Sequence, residues 1–298
     1  MSFAFTHRKN VPAQVCAIAA EQIKKGLEEA SQPGSDTDKI VHGLRRRCKK
    51  LRGLVRLVAP DLDDPDQENA AFRDAAASLS QARDAAVMVE TFEGLLEYDR
   101  KSGDARVDKT EADDVAKALK AQADQPDGEG EDQFAKFRDI FLAAQERVEL
   151  WSFDGRGFDI IGDGLAANYK LFRRRMEKAE DDPAPENFHD WRKVAKYHGH
   201  HVSLFRRAAP DLMKGRQAAV DQLGDLLGDH HNLAVLEENL LKLGVSGSAG
   251  DVIKLWQGEM AKAAFALGGQ LAAEKPEALR RRFENYWSLL PEKARHGD

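Results

Sequence analysis

A helix-spaced set of basic residues occurs twice in this chain, and that repetition constrains the fold more than any bulk property. His42-Gly-Leu-Arg45-Arg46-Arg47-Cys-Lys49 and His189-Asp-Trp-Arg192-Lys193-Val-Ala-Lys196 both read His-x-x-Arg-x-x-x-Lys. An Ala-Pro-Asp-Leu tetrapeptide follows each copy, at 59–62 and at 209–212. The two histidines stand 147 residues apart (189 − 42), so the 298 residues read as two related halves. Steps of three and four put the His, Arg and Lys of each copy on one stripe of a helix.

The apolar residues fall where this reading needs them. On a helical wheel at about 100° per residue, Leu44, Cys48, Leu51, Val55 and Val58 gather opposite His42, Arg45, Arg46, Lys49, Arg52 and Arg56. In the second copy Trp191, Val194, Ala195, Val202 and Phe205 oppose His189, Arg192, Lys193, Lys196, His200 and Arg207. His198 falls in the middle of that apolar face and reads as a buried structural histidine; His201 receives no role. A third basic cluster, Tyr169-Lys170-Leu-Phe-Arg173-Arg174-Arg175, follows the apolar stripe Leu165, Tyr169, Phe172 and Met176. Arg173 is as well explained by solvation as by an anion. Arg83-Asp84 reads equally as a local ion pair and as a ligand contact.

Periodicity predicts an all-α protein, with helices over about 11–31, 36–58, 67–101, 110–123, 131–150, 158–180, 185–207, 213–243, 249–273 and 276–290. Ser35 or Asp36 is placed to cap the second, and Pro276 suits the first turn of the last. The 147-residue offset carries the first two helices onto 158–180 and 185–207. Whole halves are therefore related, 1–151 and 157–298, each a bundle of about four long helices, joined across Trp151–Gly157.

Charge is unevenly spread. The net charge is −6, yet residues 42–56 hold seven Arg and Lys and no acid, leaving −6 − 7 = −13 for the rest. The acids collect at 61–66, 124–132 and 180–186, the second of these reading as a loop. A solvated helix face ordinarily mixes Glu with Lys; a cationic face without acids repels itself and calls for an anionic partner. The N-terminus has no apolar run of signal length, no segment approaches a membrane span, and Cys16 and Cys48 are isolated. These features predict a cytoplasmic chain without membrane association.

The paired motifs resemble those of the CHAD family, the conserved-histidine α-helical domain. Val41 to Arg52 is similar to its first motif and Phe188 to Lys196 to its second. Leu79 to Asp84 and Leu223 to Asn232 are similar to its third-helix segments, and Gly164 to Tyr169 to the helix before the second motif. The resemblance spans nearly all of 1–298 and implies one CHAD-type domain. In that domain two antiparallel helical bundles are related by a pseudo-twofold axis, with a basic cavity between them that binds inorganic polyphosphate. It implies His42, Arg45, Arg46, Lys49, Arg52, His189, Arg192, Lys193 and Lys196 as ligands, with Arg56, Arg83, Tyr169 and Arg173 as further candidates. One departure is Gly199, which stands where the first stripe has Arg52 and predicts a less basic second side. The chain reads as a stand-alone member without the CYTH triphosphatase domain that many members carry. It implies no cofactor, no metal and no catalysis, and association with polyphosphate granules or polyphosphate-metabolising enzymes.

Three rival readings remain. His189-Asp190 matches the dipeptide of HD phosphohydrolases, but the basic residues around it oppose a dication, and His42 is too distant in sequence for that pattern. An RNA-binding module would use the same cations, though these helices lack exposed aromatics for base stacking. A helical scaffold that docks an acidic protein is the third.

Overall fold

The computed structural model describes residues 3–32, 37–79, 81–123, 134–244 and 247–293, the side chains of 81–86 excepted. Eleven helices are present among them: α1 (Val11–Ala30), α2 (Thr37–Val58), α3 (Pro65–Ala77), α4 (Gln81–Ser102), α5 (Lys109–Ala123), α6 (Ala135–Val148), α7 (Asp159–Asp181), α8 (Pro185–Leu204), α9 (Pro210–Lys242), α10 (Ser248–Leu271) and α11 (Pro276–Trp287). Apart from one bridge pair, Leu62 with Phe153, the regular structure among the described residues is all helical. The protein is all-α, as its periodicity predicts. No described helix is long and apolar enough to cross a membrane. The capping residues expected at 35–36 and the acidic stretch at 124–132 lie outside the described residues.

One predicted helix, 67–101, is two. The chain leaves α3 after Ala77, and Ser78 turns its hydroxyl back to the Ala75 carbonyl (3.0 Å). Prolines set other boundaries. Pro65, Pro185, Pro210 and Pro276 each open a helix, where a missing N–H costs nothing. The repeated Ala-Pro-Asp-Leu therefore behaves differently in its two contexts. Pro210 starts α9 directly, whereas after Pro60 the chain turns until Asp64 accepts from the Gln67 N–H (3.1 Å) and α3 begins.

Shifted by 147 residues, α1 falls on α7, α2 on α8, α3 and α4 together on α9, α5 on α10 and α6 on α11. Neighbours repeat as well: α1 packs on α2 and α6, α7 on α8 and α11, α2 on α3, α8 on α9, α4 on α5 and α9 on α10. The apolar cores do not follow the halves. One joins the inward faces of α1, α2, α3, α6, α7, α8 and α11 with the start of α9 and the end of α10; the other joins α4, α5, the start of α10 and the far part of α9.

The helices carrying the two motifs, α2 and α8, pack on each other. They meet at Gly53 and His200, positions that differ by 147 and so correspond. A Cβ on Gly53 would lie 2.7 Å from the His200 Cβ, so this close approach requires glycine. Beside it the His201 ring, fully buried, donates its Nε2–H to the Gly53 carbonyl (3.0 Å). On the other flank Gly164 of α7 sits against the Leu57 carbonyl, and Asn168 donates to the Arg56 carbonyl (2.8 Å). These contacts fix how the cationic stripe of α2 faces α8 and α9.

Candidate anion-binding site

α2 buries Val41, Leu44, Cys48, Leu51, Leu54, Val55, Leu57 and Val58, which leaves its basic residues on the outward side. His42, Arg45, Arg46 and Lys49 line a cavity of about 270 Å³ that α8 and α9 close. α8 contributes Lys196, Gly199 and His200; α9 contributes Gln217, Val220 and Asp221. Lys49 and Lys196, which correspond across the repeat, both reach it. His42, Arg46 and Lys49 are exposed, and Arg45 and Lys196 are partly buried. Five basic side chains thus meet one carboxylate, Asp221, among the described lining residues. Burial pushes His200 down to about 3, so its imidazole is neutral, and its buried Nε2 has no hydrogen-bond partner among the described residues.

Gly199 shapes this cavity. It corresponds to Arg52, whose Nε donates to Asn69 Oδ1 (3.1 Å) and whose guanidinium lies over the Tyr197 ring (5.8 Å). Arg56 lies over the same ring (5.9 Å), with its Nε buried and unpartnered among the described residues. Arg52 and Arg56 therefore flank Tyr197 and are absent from the cavity lining. Arg47, a cation of the same stripe, pins α2 to α1: its Nε donates to Glu29 Oε2 (2.9 Å).

The second stripe does not converge on the same space. Lys196 reaches the cavity, but Arg192 lies along α9, where Gly228 leaves it room and Asp225 and Asp229 supply opposing charge. His189 and Lys193 line a separate cavity of about 550 Å³, together with Glu186, His231, Glu237 and Glu238. Lys193 pairs with Asp190 (3.0 Å), as does Arg175 (3.3 Å). The His189 ring lies tilted against His231, centroids 4.5 Å apart; burial first, then Lys193 and Arg192, lower its pKa. The single site expected to join both motif histidines is thus divided between two cavities, because the two ends of α8 face different stretches of α9.

Two further candidates lie elsewhere. Tyr169 is fully buried in the core, its hydroxyl donating to the Leu271 carbonyl (2.8 Å), so it is a packing residue and not a ligand. Arg173 is half-buried with an unpartnered Nε and lines neither cavity. The Arg83 side chain lies outside the described residues. His198 is buried as expected and accepts from Arg216 Nε (3.0 Å). Sequence reasoning missed the row Asp221, Asp225 and Asp229, although a spacing of four on one helix announces it. Burial, then Asp225, raises the Asp229 pKa. Among the described residues no group of three or more His, Cys, Asp or Glu is placed to hold a metal ion.

Comparison with known proteins bears on the whole arrangement. The family model of the CHAD domain matches residues 17–241. The chain belongs to the CHAD family. A crystal structure of the CHAD domain from the plant Ricinus communis resembles it with a TM-score of 0.54 and 16% identity, covering 95% of each chain. At that identity the likeness shows a shared fold. No curated protein matches. In this CHAD domain, then, the first motif and the last lysine of the second share one cavity, while the start of the second motif faces another.

Proposed function

We propose that this CHAD domain binds inorganic polyphosphate in the cavity formed by α2, α8 and α9. The observation that carries the reading is the convergence of His42, Arg45, Arg46, Lys49 and Lys196, from segments some 150 residues apart, on one cavity. Guanidinium and ammonium groups bind phosphate oxygens through charge-assisted hydrogen bonds. At about 270 Å³ the cavity is at the small end for ligand sites, the right scale for a few links of a narrow chain. His42 adds a further hydrogen-bond donor to the wall. No Phe, Tyr or Trp lines the cavity among the described residues, which disfavours a base-stacking nucleic acid.

In this reading the protein holds its ligand without turning it over. It localises, stores or senses polyphosphate in the cytoplasm, at polyphosphate granules or beside an enzyme that makes or consumes the polymer. The test is calorimetric titration of the full chain with polyphosphate. Arg45→Glu and Lys196→Glu should each weaken binding at least about tenfold, since each removes a charge-assisted contact and adds repulsion. Arg192→Gln, outside the cavity, should change it little. Undiminished binding in both charge-reversal variants would move the ligand elsewhere.

A further inference from the structure

One position in the α8 wall of the cavity is a glycine. Gly199 is buried in the middle of a helix, where glycine is a poor choice, and it needs no left-handed backbone. Its reason is therefore space. A Cβ there would lie 3.1 Å from Val220 Cγ1 and 3.6 Å from Gln217 Nε2, both of which line the cavity. A longer side chain would run into the opening between α2 and α9. At the corresponding position in the first half a long side chain is present: Arg52 extends across to Asn69 and Tyr197.

We infer that Gly199 is a specificity-determining residue: it holds the cavity open to the width of a bare phosphate chain and so selects a thin linear polyanion over a nucleic-acid strand. This rests on the polyphosphate reading of the same site. The walls agree with it. Val220 is buried, His200 is neutral and presents an unpartnered nitrogen, and the cations stand along the α2 side. A phosphate link offers oxygens on all sides and little bulk. A nucleotide adds a sugar and a base, and no Phe, Tyr or Trp among the described lining residues receives the base.

The inference makes charge and shape pull in opposite directions. Gly199→Arg adds a cation to an anion site, so a charged-surface model expects tighter binding. The cavity model expects polyphosphate affinity to fall by about tenfold or more, with affinity for single-stranded RNA held or raised. Gly199→Ala should show a smaller loss in the same direction. Arg46→Glu, which removes exposed charge without filling space, should weaken both ligands. The assay is titration of the full chain with long-chain polyphosphate and with RNA at one salt concentration, after circular dichroism has shown each variant folded. If Gly199→Arg does not fold, Gln217→Trp narrows the same cavity from α9 and carries the same expectation. Polyphosphate binding unchanged or tighter in the filled variant, with Arg46→Glu weakened, overturns the role of Gly199 alone. Polyphosphate binding unaffected by Arg46→Glu overturns the polyphosphate reading and this inference with it.

Discussion

Acid should unfold this protein in a window set by buried histidines, above the carboxylate range. His198 and His201 are 1% and 0% exposed, and their neighbour His200 lines the cavity wall. His201 donates from Nε2 to the Gly53 carbonyl, and its Nδ1 is buried without a partner among the described residues. A second proton would sit on that nitrogen with nothing to receive it. His198 accepts from Arg216 through Nε2, so protonation there would set a cation against a guanidinium. Burial accordingly pushes His201 down to about 4 and His200 to about 3, and lowers His198 well below the ordinary value.

The sign follows from linkage. In the unfolded chain each ring takes a proton below about 6.5, which the folded state refuses. Stability is therefore complete above about pH 7 and falls as pH drops, by about 1.4 kcal/mol per pH unit for each histidine. At pH 5 the loss is about 2 kcal/mol per ring, or about 4 kcal/mol for His198 and His201, with His200 adding a comparable amount. That is a large share of the roughly 5–15 kcal/mol that holds a domain together. His230 and His231, also pushed down to about 4 by burial, act in the same direction but are more open to water. Asp61 and Asp229, raised by burial, oppose the trend. Urea unfolding followed by circular dichroism at pH 5, 6, 7 and 8 measures the slope. His201→Gln, which keeps a donor for Gly53 and cannot titrate, should flatten it by about 1.4 kcal/mol per unit. A wild-type stability equal at pH 5 and pH 7.5 would refute the reasoning.

Three other outcomes are expected. Tyr169→Phe deletes the bond to Leu271 and should lower stability by about 1–2 kcal/mol in urea unfolding while leaving polyphosphate affinity unchanged; a binding defect in the folded variant would return Tyr169 to the site. Gly164→Ala would place a Cβ 1.9 Å from the Leu57 carbonyl, so the helices must separate; thermal unfolding should show a loss of about 1–3 kcal/mol or more, and a neutral result would mean that α7 and α2 adjust freely. Polyphosphate affinity should fall with salt, with a log–log slope of about −0.7 per phosphate neutralised, near −3 for the four Arg and Lys of the cavity. A slope near zero would exclude these cations as the ligands.

Helix content was legible because the apolar residues recur at helical spacing through most of the chain. The repeated His-x-x-Arg-x-x-x-Lys spacing was legible because its residues lie on the side of each helix away from the core, where packing does not dictate the residue type. What pairs with what was less so. A wheel places Arg192 and Lys196 on one stripe, but does not say that one turn separates a residue facing the cavity from one facing Asp225. Tyr169 could be misread because its hydroxyl finds a carbonyl from α10, an acceptor far away in sequence. The break between α3 and α4 carries neither proline nor glycine, only Ser78 bonding back to its own helix.

The repeat and the cavity are related through asymmetry. Two copies of a cationic helix meet at corresponding positions, Gly53 and His200, and equal copies would present equal surfaces on both sides of the crossing. The substitutions around that point break the equality. Glycine stands at 199 where arginine stands at 52, and Tyr197 holds Arg52 and Arg56 where Lys50, its counterpart, lies over the Phe3 ring. On one side Arg52 reaches Asn69 and Tyr197; on the other Gly199 borders a cavity lined by His42, Arg45, Arg46 and Lys49. The first motif sends His42, Arg45 and Lys49 to the cavity wall, while the second turns Arg192 and Lys193 toward Asp225, Asp229 and Asp190. One copy of the duplicated stripe then lines the cavity, and most of the other meets acids within the chain.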